Sequence, residues 1–112
     1  MKISKRRVGN VTILEPKGKI TIGAGDVVLR NAIEEATHRG SSNVLLDLNG
    51  ISKMDSSGLG ELIAAHNTVT GEGGTIKLMN IPSKLYGVLG ITQILSVFVV
   101  FDNENEALAS FH

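Results

Sequence analysis

The residues best suited to carry chemistry in this chain form the short segment Asp55–Gly60 (DSSGLG). An amphipathic, helix-like pattern follows, so Ser56 is expected to place an exposed hydroxyl at a helix start, directly after an acid. A phosphate attached there would meet backbone N–H groups without helical partners and the positive end of the helix dipole. Plain capping explains the same residues, because Asp, Ser and Gly are favoured at helix starts without any function. Local chemistry leaves both interpretations open.

The chain lacks the sequence motifs of the enzymatic sites that such a segment could support. Gly58-Leu59-Gly60 and Gly23-Ala24-Gly25 each lack the third glycine of a dinucleotide-binding fingerprint. A hydrolase would need a Gly-x-Ser-x-Gly elbow around Ser56 and a histidine nearby. His66 lies about three turns along the same helix, where we expect it to pack at the edge of the apolar stripe and not to act as a base.

Composition narrows the function further. The chain has no cysteine, which excludes disulfides and thiolate catalysis. Its histidines, His38, His66 and His112, lack metal-ligand spacing, and Asp47 and Asp55 lack the acidic cluster of a magnesium-dependent phosphoacceptor. We therefore expect no metal and no cofactor. The 11 basic and 11 acidic residues cancel, which argues against nucleic-acid binding.

Length and hydropathy indicate one domain over residues 1–112. No apolar run approaches the ~20 residues of a membrane span, and the first residues lack the apolar core of a secretion signal. We therefore expect a cytoplasmic protein without membrane insertion.

Strands and helices must alternate to position Ser56. Ile3–Val8 and Val11–Leu14 predict a β-hairpin around a tight Gly9-Asn10 turn. The apolar run Asn43–Leu48 is typical of a central parallel strand that is buried on both faces. Between them, a helix that stops at Gly40 is predicted by apolar residues at helical spacing: Leu29, Ala32, Ile33 and Ala36.

The second helix is expected to begin near Ser56 and to end at Gly71–Gly74 (GEGG). Thr75–Met79 alternates as a strand does. Pro82 predicts the start of a short third helix that ends at Gly90. The inner faces of these two helices comprise Leu59, Leu62, Ile63 and His66 in the second and Leu85, Val88 and Leu89 in the third.

Val97–Phe101 is apolar and predicts a last strand, and Asn103 and Glu106 have capping-box spacing before a final helix. The order is therefore β-β-α-β-α-β-α-β-α. A leading hairpin followed by alternating elements predicts the α/β class, with a mostly parallel sheet.

The segment Met54–Gly60 (MDSSGLG), preceded by Val44–Leu48 (VLLDL), closely resembles the signature of STAS domains. The chain is most similar to the bacterial anti-sigma factor antagonists of that family. Gly18–Thr21 (GKIT) falls where the family has a Gly-x-Leu-Asp segment, Gly73–Leu78 (GGTIKL) matches its Gly-Gly-strand step, and Gly90-Ile91 falls near the end of its third helix. The resemblance covers nearly the whole chain.

This resemblance implies a regulatory protein and not an enzyme. In the family, the unphosphorylated antagonist binds a GHKL-type serine kinase that is also an anti-sigma factor, and binding frees a sigma factor. The kinase uses ATP to phosphorylate the serine after the motif aspartate, here Ser56, and phosphorylation releases the antagonist. A PPM-type phosphatase restores the unphosphorylated form.

Individual roles follow from the resemblance. Ser56 is the phosphoacceptor, and Asp55 orients the loop or contacts the kinase. Ser57, Gly58 and Gly60 shape the helix start so that a partner can approach closely, while Leu59 mainly packs. With the flanking loop from Lys19 to Gly23, the predicted partner-binding residues are Asp55, Ser56, Ser57, Gly58, Leu59, Lys19, Thr21 and Gly23.

The chain departs from the family pattern at Thr21, where many antagonists carry aspartate. We expect the partner contacts or the rate of phosphorylation to differ for that reason. Gly18, Gly23 and Gly25 predict a pliable loop. The alternative function is a constitutive STAS-domain subunit of a lipid-transport or stress-signalling complex, with no switch at Ser56.

Overall fold

The computed structural model describes residues 1–38, 43–88 and 90–111. The strands are β1 Lys2–Val8, β2 Val11–Ile20, β3 Asn43–Asp47, β4 Ile51–Met54, β5 Thr75–Met79 and β6 Val100–Phe101. The α-helices are α1 Asp26–His38, α2 Ser56–Gly71, α3 Ile91–Val97 and α4 Glu104–Ala109, and a 3₁₀ helix spans Ser83–Gly87. The predicted α/β class is confirmed.

The sheet begins with the predicted hairpin. β1 pairs antiparallel with β2 from Lys2 opposite Lys17 to Val8 opposite Val11, and Gly9 adopts the positive φ of 59° that the tight turn requires. The remaining pairs are parallel, in the order β1-β2-β3-β5-β6, and β4 pairs with the far end of β2. The carboxyl ends of β2 and β4 therefore lie side by side.

The central strand β3 is buried on both faces, as its continuous apolar run predicts. Val44 and Leu46 face the larger core, which contains the apolar sides of α1, α2 and α3. Leu45 faces a smaller core on the opposite side of the sheet, where Ala107 of α4 packs. Because side chains alternate along β3, they pack against α1, α2 and α3 on one face of the sheet and against α4 on the other.

Two parts of the predicted element order are wrong. The segment after β3 contains an additional strand, β4, which the sequence interpretation treated as a connection. Gly90 does not end the third helix. It is the N-cap of α3 at a φ of 91°, and the segment that Pro82 precedes is a 3₁₀ helix. Val97 consequently belongs to α3, and the last strand is only Val100–Phe101.

The other predicted ends are confirmed where the structure describes them. α2 ends at Gly71, and the side chain of Asn103 caps α4 by accepting a hydrogen bond from the Glu106 N–H at 3.1 Å. The predicted helix stop at Gly40 and the inner-face position of Leu89 lie outside the described residues.

Ion pairs join the two strands of the hairpin and connect β1 to α1 and α4. Lys5 pairs with Glu35 of α1 at 3.4 Å, and Arg6 pairs with Glu15 at 3.0 Å and with Glu104 of α4. Both glutamates raise the pKa of the Arg6 guanidinium further above its usual range. In the described ranges, no helix has both the length and the apolar character needed to cross a membrane.

Candidate functional site

Ser56 is the first residue of α2 and is exposed, as predicted. The helix begins there because Asp55 has extended backbone angles, and its Oδ1 accepts a hydrogen bond from the Gly58 N–H at 3.0 Å. The carbonyl of Asp55 accepts the next N–H, that of Leu59, at 3.0 Å. The cap is therefore the aspartate, which leaves the Ser56 hydroxyl free of a capping role.

The second carboxylate oxygen of Asp55 connects α2 to the loop after β2. Asp55 Oδ2 accepts a hydrogen bond from the Ile22 N–H at 3.1 Å. The N–H groups of Ile22 and Gly58, in that order, lower the pKa of Asp55 because they favour the ionised carboxylate. Asp55 thus orients the loop beside Ser56, one of the two roles predicted for it.

The loop itself forms a closed turn. Thr21 and Ala24 exchange backbone hydrogen bonds at 2.8 and 2.9 Å, and Asp26 Oδ2 accepts from the Gly23 N–H at 3.3 Å. Gly23 and Gly25 adopt positive φ values of 73° and 88°. The sequence predicts a pliable loop from these glycines. In the structure they allow the positive φ values of a hydrogen-bonded turn.

Two predicted contact residues are buried. A Cβ on Gly58 would overlap the carbonyl oxygen of Ile20 and lie 2.7 Å from Cγ of Met54. Gly58 therefore lets α2 approach the ends of β2 and β4. Leu59 is 4% exposed and packs in the larger core. Gly60, by contrast, is exposed, and a Cβ there would have no atom within 4 Å.

An exposed apolar surface adjoins the turn, and the sequence interpretation missed it. Ile22 is 76% exposed although its N–H is bound to Asp55, and Val27 and Val28 in the first turn of α1 are exposed as well. Exposed large apolar side chains next to a candidate site are candidates for contact with a protein partner. The available signal was an isoleucine in a loop otherwise made of glycine, alanine and threonine.

An ion pair links α1 to α2. Arg30 of α1 donates to Glu61 of α2, with Nε 3.3 Å from Oε2, and Glu61 raises the pKa of the arginine. The pair borders a cleft of about 90 Å³ lined by Arg30, Ile33, Glu34, Glu61, Ala64, Ala65 and Thr68. A site for a ligand of nucleotide size measures about 300–1,000 Å³. The cleft is too small to hold one.

Groups for acid–base or metal chemistry are not assembled at Ser56. His66 packs edge-on against Phe98, with ring centroids 5.4 Å apart, which confirms its predicted packing role. Over residues 1–38, 43–88 and 90–111, no three His, Asp or Glu side chains group as metal ligands. The side chains of His38 and His112 are outside the described part.

The chain matches the family model for the STAS domain over residues 2–107. The anti-sigma F factor antagonist of Paenibacillus polymyxa is 24% identical over 98 residues, covering 88% of this chain and 84% of that protein.

Solved structures show the same fold. An anti-sigma factor antagonist from Mycobacterium paratuberculosis superposes with a TM-score of 0.81 at 18% identity, covering 97% of this chain and 92% of that one. Phosphorylated SpoIIAA from Bacillus gives a TM-score of 0.72 at 18% identity, covering 99% and 100%. Its unphosphorylated form gives 0.70 at 18% identity, covering 96% of each chain.

Proposed function

The chain belongs to the STAS domain family, and on that premise we propose that it is an anti-sigma factor antagonist. It binds a GHKL-type serine kinase that is also an anti-sigma factor, and binding releases a sigma factor. Phosphorylation of Ser56 by that kinase ends the interaction, and a PPM-type phosphatase reverses the modification. In this role the chain is a cytoplasmic binding protein and a phosphorylation substrate, without catalytic activity of its own.

The observation that carries the proposal is the exposure of the Ser56 hydroxyl at a fixed position. The residue before it, Asp55, caps α2 and binds the turn, so the hydroxyl is not needed for the fold. The exposed Ile22 lies on the turn that Asp55 holds. A kinase can therefore reach Ser56 while it contacts an apolar surface next to it.

The transfer itself needs no group from this chain beyond the acceptor. The γ-phosphoryl group of ATP forms a bond to Ser56 Oγ, the bond to ADP breaks, and the hydroxyl proton is released. The catalytic groups and the metal ion belong to the kinase.

The phosphate acts on the partner and not on the fold. Asp55 already occupies the anion position at the start of α2, because its carboxylate accepts the Gly58 N–H. Asp55 takes up the Gly58 N–H of this turn, and the sequence prediction that a phosphate would meet the other N–H groups of the turn stays a prediction. A phosphate on Ser56 would be directed outward, where a charge of about −1.5 to −2 must be desolvated against a partner surface that fits a hydroxyl.

Two relatives' names support this proposal. The Paenibacillus protein is an anti-sigma F factor antagonist, and SpoIIAA has been solved in phosphorylated and unphosphorylated forms. The present fold matches both forms of SpoIIAA almost equally, with TM-scores of 0.72 and 0.70. A switch of the same kind in this chain would leave the fold unchanged.

The proposal is tested by incubating the chain with ATP and a GHKL-type anti-sigma kinase from the same source, followed by intact-mass measurement and peptide mapping. We expect one added phosphate, on Ser56, and loss of the complex on gel filtration. Ser56→Ala should stay unmodified and bound, whereas the control Ser4→Ala, at an exposed serine of β1, should be modified as the wild type is.

A stable complex that forms without phosphate, and that persists in Ser56→Asp, would contradict the switch. That result would favour the alternative function, a constitutive STAS subunit of a lipid-transport or stress-signalling complex. Phosphate on a residue other than Ser56 would refute the assignment of the acceptor.

A further inference from the structure

Four exposed lysines lie next to one another at one end of the sheet. In the strand register, Lys2 of β1 is opposite Lys17 of β2, and Lys19 of β2 is opposite Lys53 of β4. These residues, called here the lysine patch, include two cross-strand pairs of like charge. Such pairs destabilise a sheet. The arrangement is therefore unfavourable for the isolated chain.

The lysine patch has no internal counter-charge. Lys5, Arg6 and Arg30 each pair with a glutamate, whereas no member of the patch takes part in an ion pair or a side-chain hydrogen bond within the part of the chain that the structure describes. Because 11 basic and 11 acidic residues balance over the whole chain, the patch is a local excess of positive charge.

The patch is continuous with the surface around Ser56. Lys53 precedes Ser56 by three residues, so their Cα atoms lie within about 11 Å of each other. The stem of Lys17 packs on Gly50, just before β4, because a Cβ on that glycine would lie 2.8 Å from Lys17 Cγ. The turn Thr21–Gly25, which follows Lys19, carries no charge.

We propose that the lysine patch binds an acidic segment of the partner protein that also contacts Ser56. The inference rests on the proposed function and adds the chemistry of the partner. Continuity with Ser56 and the exposed Ile22 favours a protein over a lipid surface as the source of the negative charge. One interface then combines apolar contact at the turn with charge complementarity at the patch.

The patch also gives phosphorylation a second way to weaken the complex. A phosphate on Ser56 would place a charge of about −1.5 to −2 near Lys53, the member of the patch whose Cα lies within about 11 Å of that of Ser56, and would offset part of the positive charge of the patch. The distance is comparable to the Debye length of about 8–10 Å at physiological salt, so this effect is only partly screened. The acidic segment of the partner would then lose part of its attraction while the phosphate repels it.

The first test measures binding of the partner kinase by calorimetry at about 50 mM and about 300 mM salt. The double variant Lys19→Gln/Lys53→Gln should bind about tenfold more weakly at low salt and should lose most of the salt dependence. Lys84→Gln is the matched control, because Lys84 is exposed on the 3₁₀ helix. Unchanged affinity and salt dependence in the double variant would overturn the binding role proposed for the lysine patch and would leave the proposed Ser56 switch intact.

The second test does not require the kinase, so it separates failure of the patch from failure of the proposed function. The ¹⁵N-labelled chain is titrated with an octaglutamate peptide and, separately, with phosphatidylserine vesicles. We expect the peptide to shift amide signals of the lysine patch and Ser56 in the wild type and in Lys84→Gln, but not in the double variant. No shift with the peptide, or binding to the vesicles alone, would overturn the proposal.

Discussion

Asp55 Oδ2 accepts a hydrogen bond from the backbone N–H of Ile22 at 3.1 Å, across 33 residues of sequence. The other oxygen of the same carboxylate caps α2 through Gly58. One side chain therefore fixes the exposed Ile22 and the exposed Ser56 relative to each other. The aspartate that precedes Ser56 is thus a structural link between the start of α2 and the loop after β2.

The link through Asp55 predicts a stability loss in acid. The pKa of Asp55 is lowered in the folded chain from its ordinary value of 3.8, so its contribution is present above that value and is lost as the pH falls through the folded pKa. Asp55→Asn keeps an oxygen that caps Gly58, but the amide NH2 that replaces Oδ2 is a donor and cannot accept the Ile22 N–H. We expect the variant to unfold more easily than the wild type at about pH 7, and we expect this difference in stability to shrink as the pH falls toward about 2.

Urea unfolding across this pH range measures the effect. The control is Asp102→Asn, since Asp102 is exposed and makes no hydrogen bond or ion pair through its side chain within the described ranges. The difference in unfolding free energy between Asp102→Asn and the wild type should not show the pH dependence expected for Asp55→Asn. A difference in unfolding free energy between the wild type and Asp55→Asn that is the same at every pH would contradict the role given to the carboxylate.

Gly58 and Gly60 predict opposite effects of the same substitution. Gly58→Ala forces a Cβ against the Ile20 carbonyl oxygen and Met54, and we expect it to cost about 1–3 kcal/mol of stability. Gly60→Ala places its Cβ in open space on a helix, so it should gain about 0.5–1 kcal/mol. Denaturant midpoints of the two variants measure both values. Equal effects would show that α2 does not approach β2 as described.

Ile22 is expected to contribute to binding and not to stability. Because its side chain is 76% exposed, Ile22→Ser should change the free energy of unfolding by less than about 0.5 kcal/mol. Its affinity for the partner kinase should fall about tenfold, since the apolar side chain is buried only in the complex. Val99→Ser, at an exposed position near β6, is the control and should bind normally. Unchanged binding by Ile22→Ser would exclude the turn from the interface.

The main elements of the fold could be predicted from the sequence because their periodicity is strong. The hairpin, the central strand and the start of α2 each have a local signal. β4 does not, because its four residues show the pattern buried-exposed-exposed-buried, which is not the alternation of a strand. Its partner is the end of β2, which continues past Pro16 and Gly18 to Ile20. Pro and Gly in a segment normally argue against a strand.

The position of Gly90 shows a second limit of local patterns. A glycine after an apolar segment usually ends a helix, because it readily adopts a left-handed conformation. Gly90 does adopt that conformation, at a φ of 91°, but it precedes α3. Gly90 therefore has the left-handed conformation that the pattern predicts, but the helix follows Gly90 instead of preceding it.

At the candidate site, Ser56 and its neighbours could be identified from the sequence, but the role of each residue could not. The contact between Asp55 and Ile22 joins residues 33 positions apart and has no local pattern. The burial of Gly58 depends on the end of β2, which the sequence interpretation placed earlier. Roles that depend on these tertiary contacts therefore have no local signal in the sequence.

The most direct test of the central claim compares the affinity of the partner kinase for the unphosphorylated chain and for the chain phosphorylated on Ser56. Calorimetry gives both dissociation constants, and ¹⁵N–¹H spectra confirm that the fold is retained. We predict that phosphorylation weakens binding about a hundredfold, through lost hydrogen bonds and repulsion at the interface, while the spectra change only around Ser56. Equal affinities of the two forms would contradict the account.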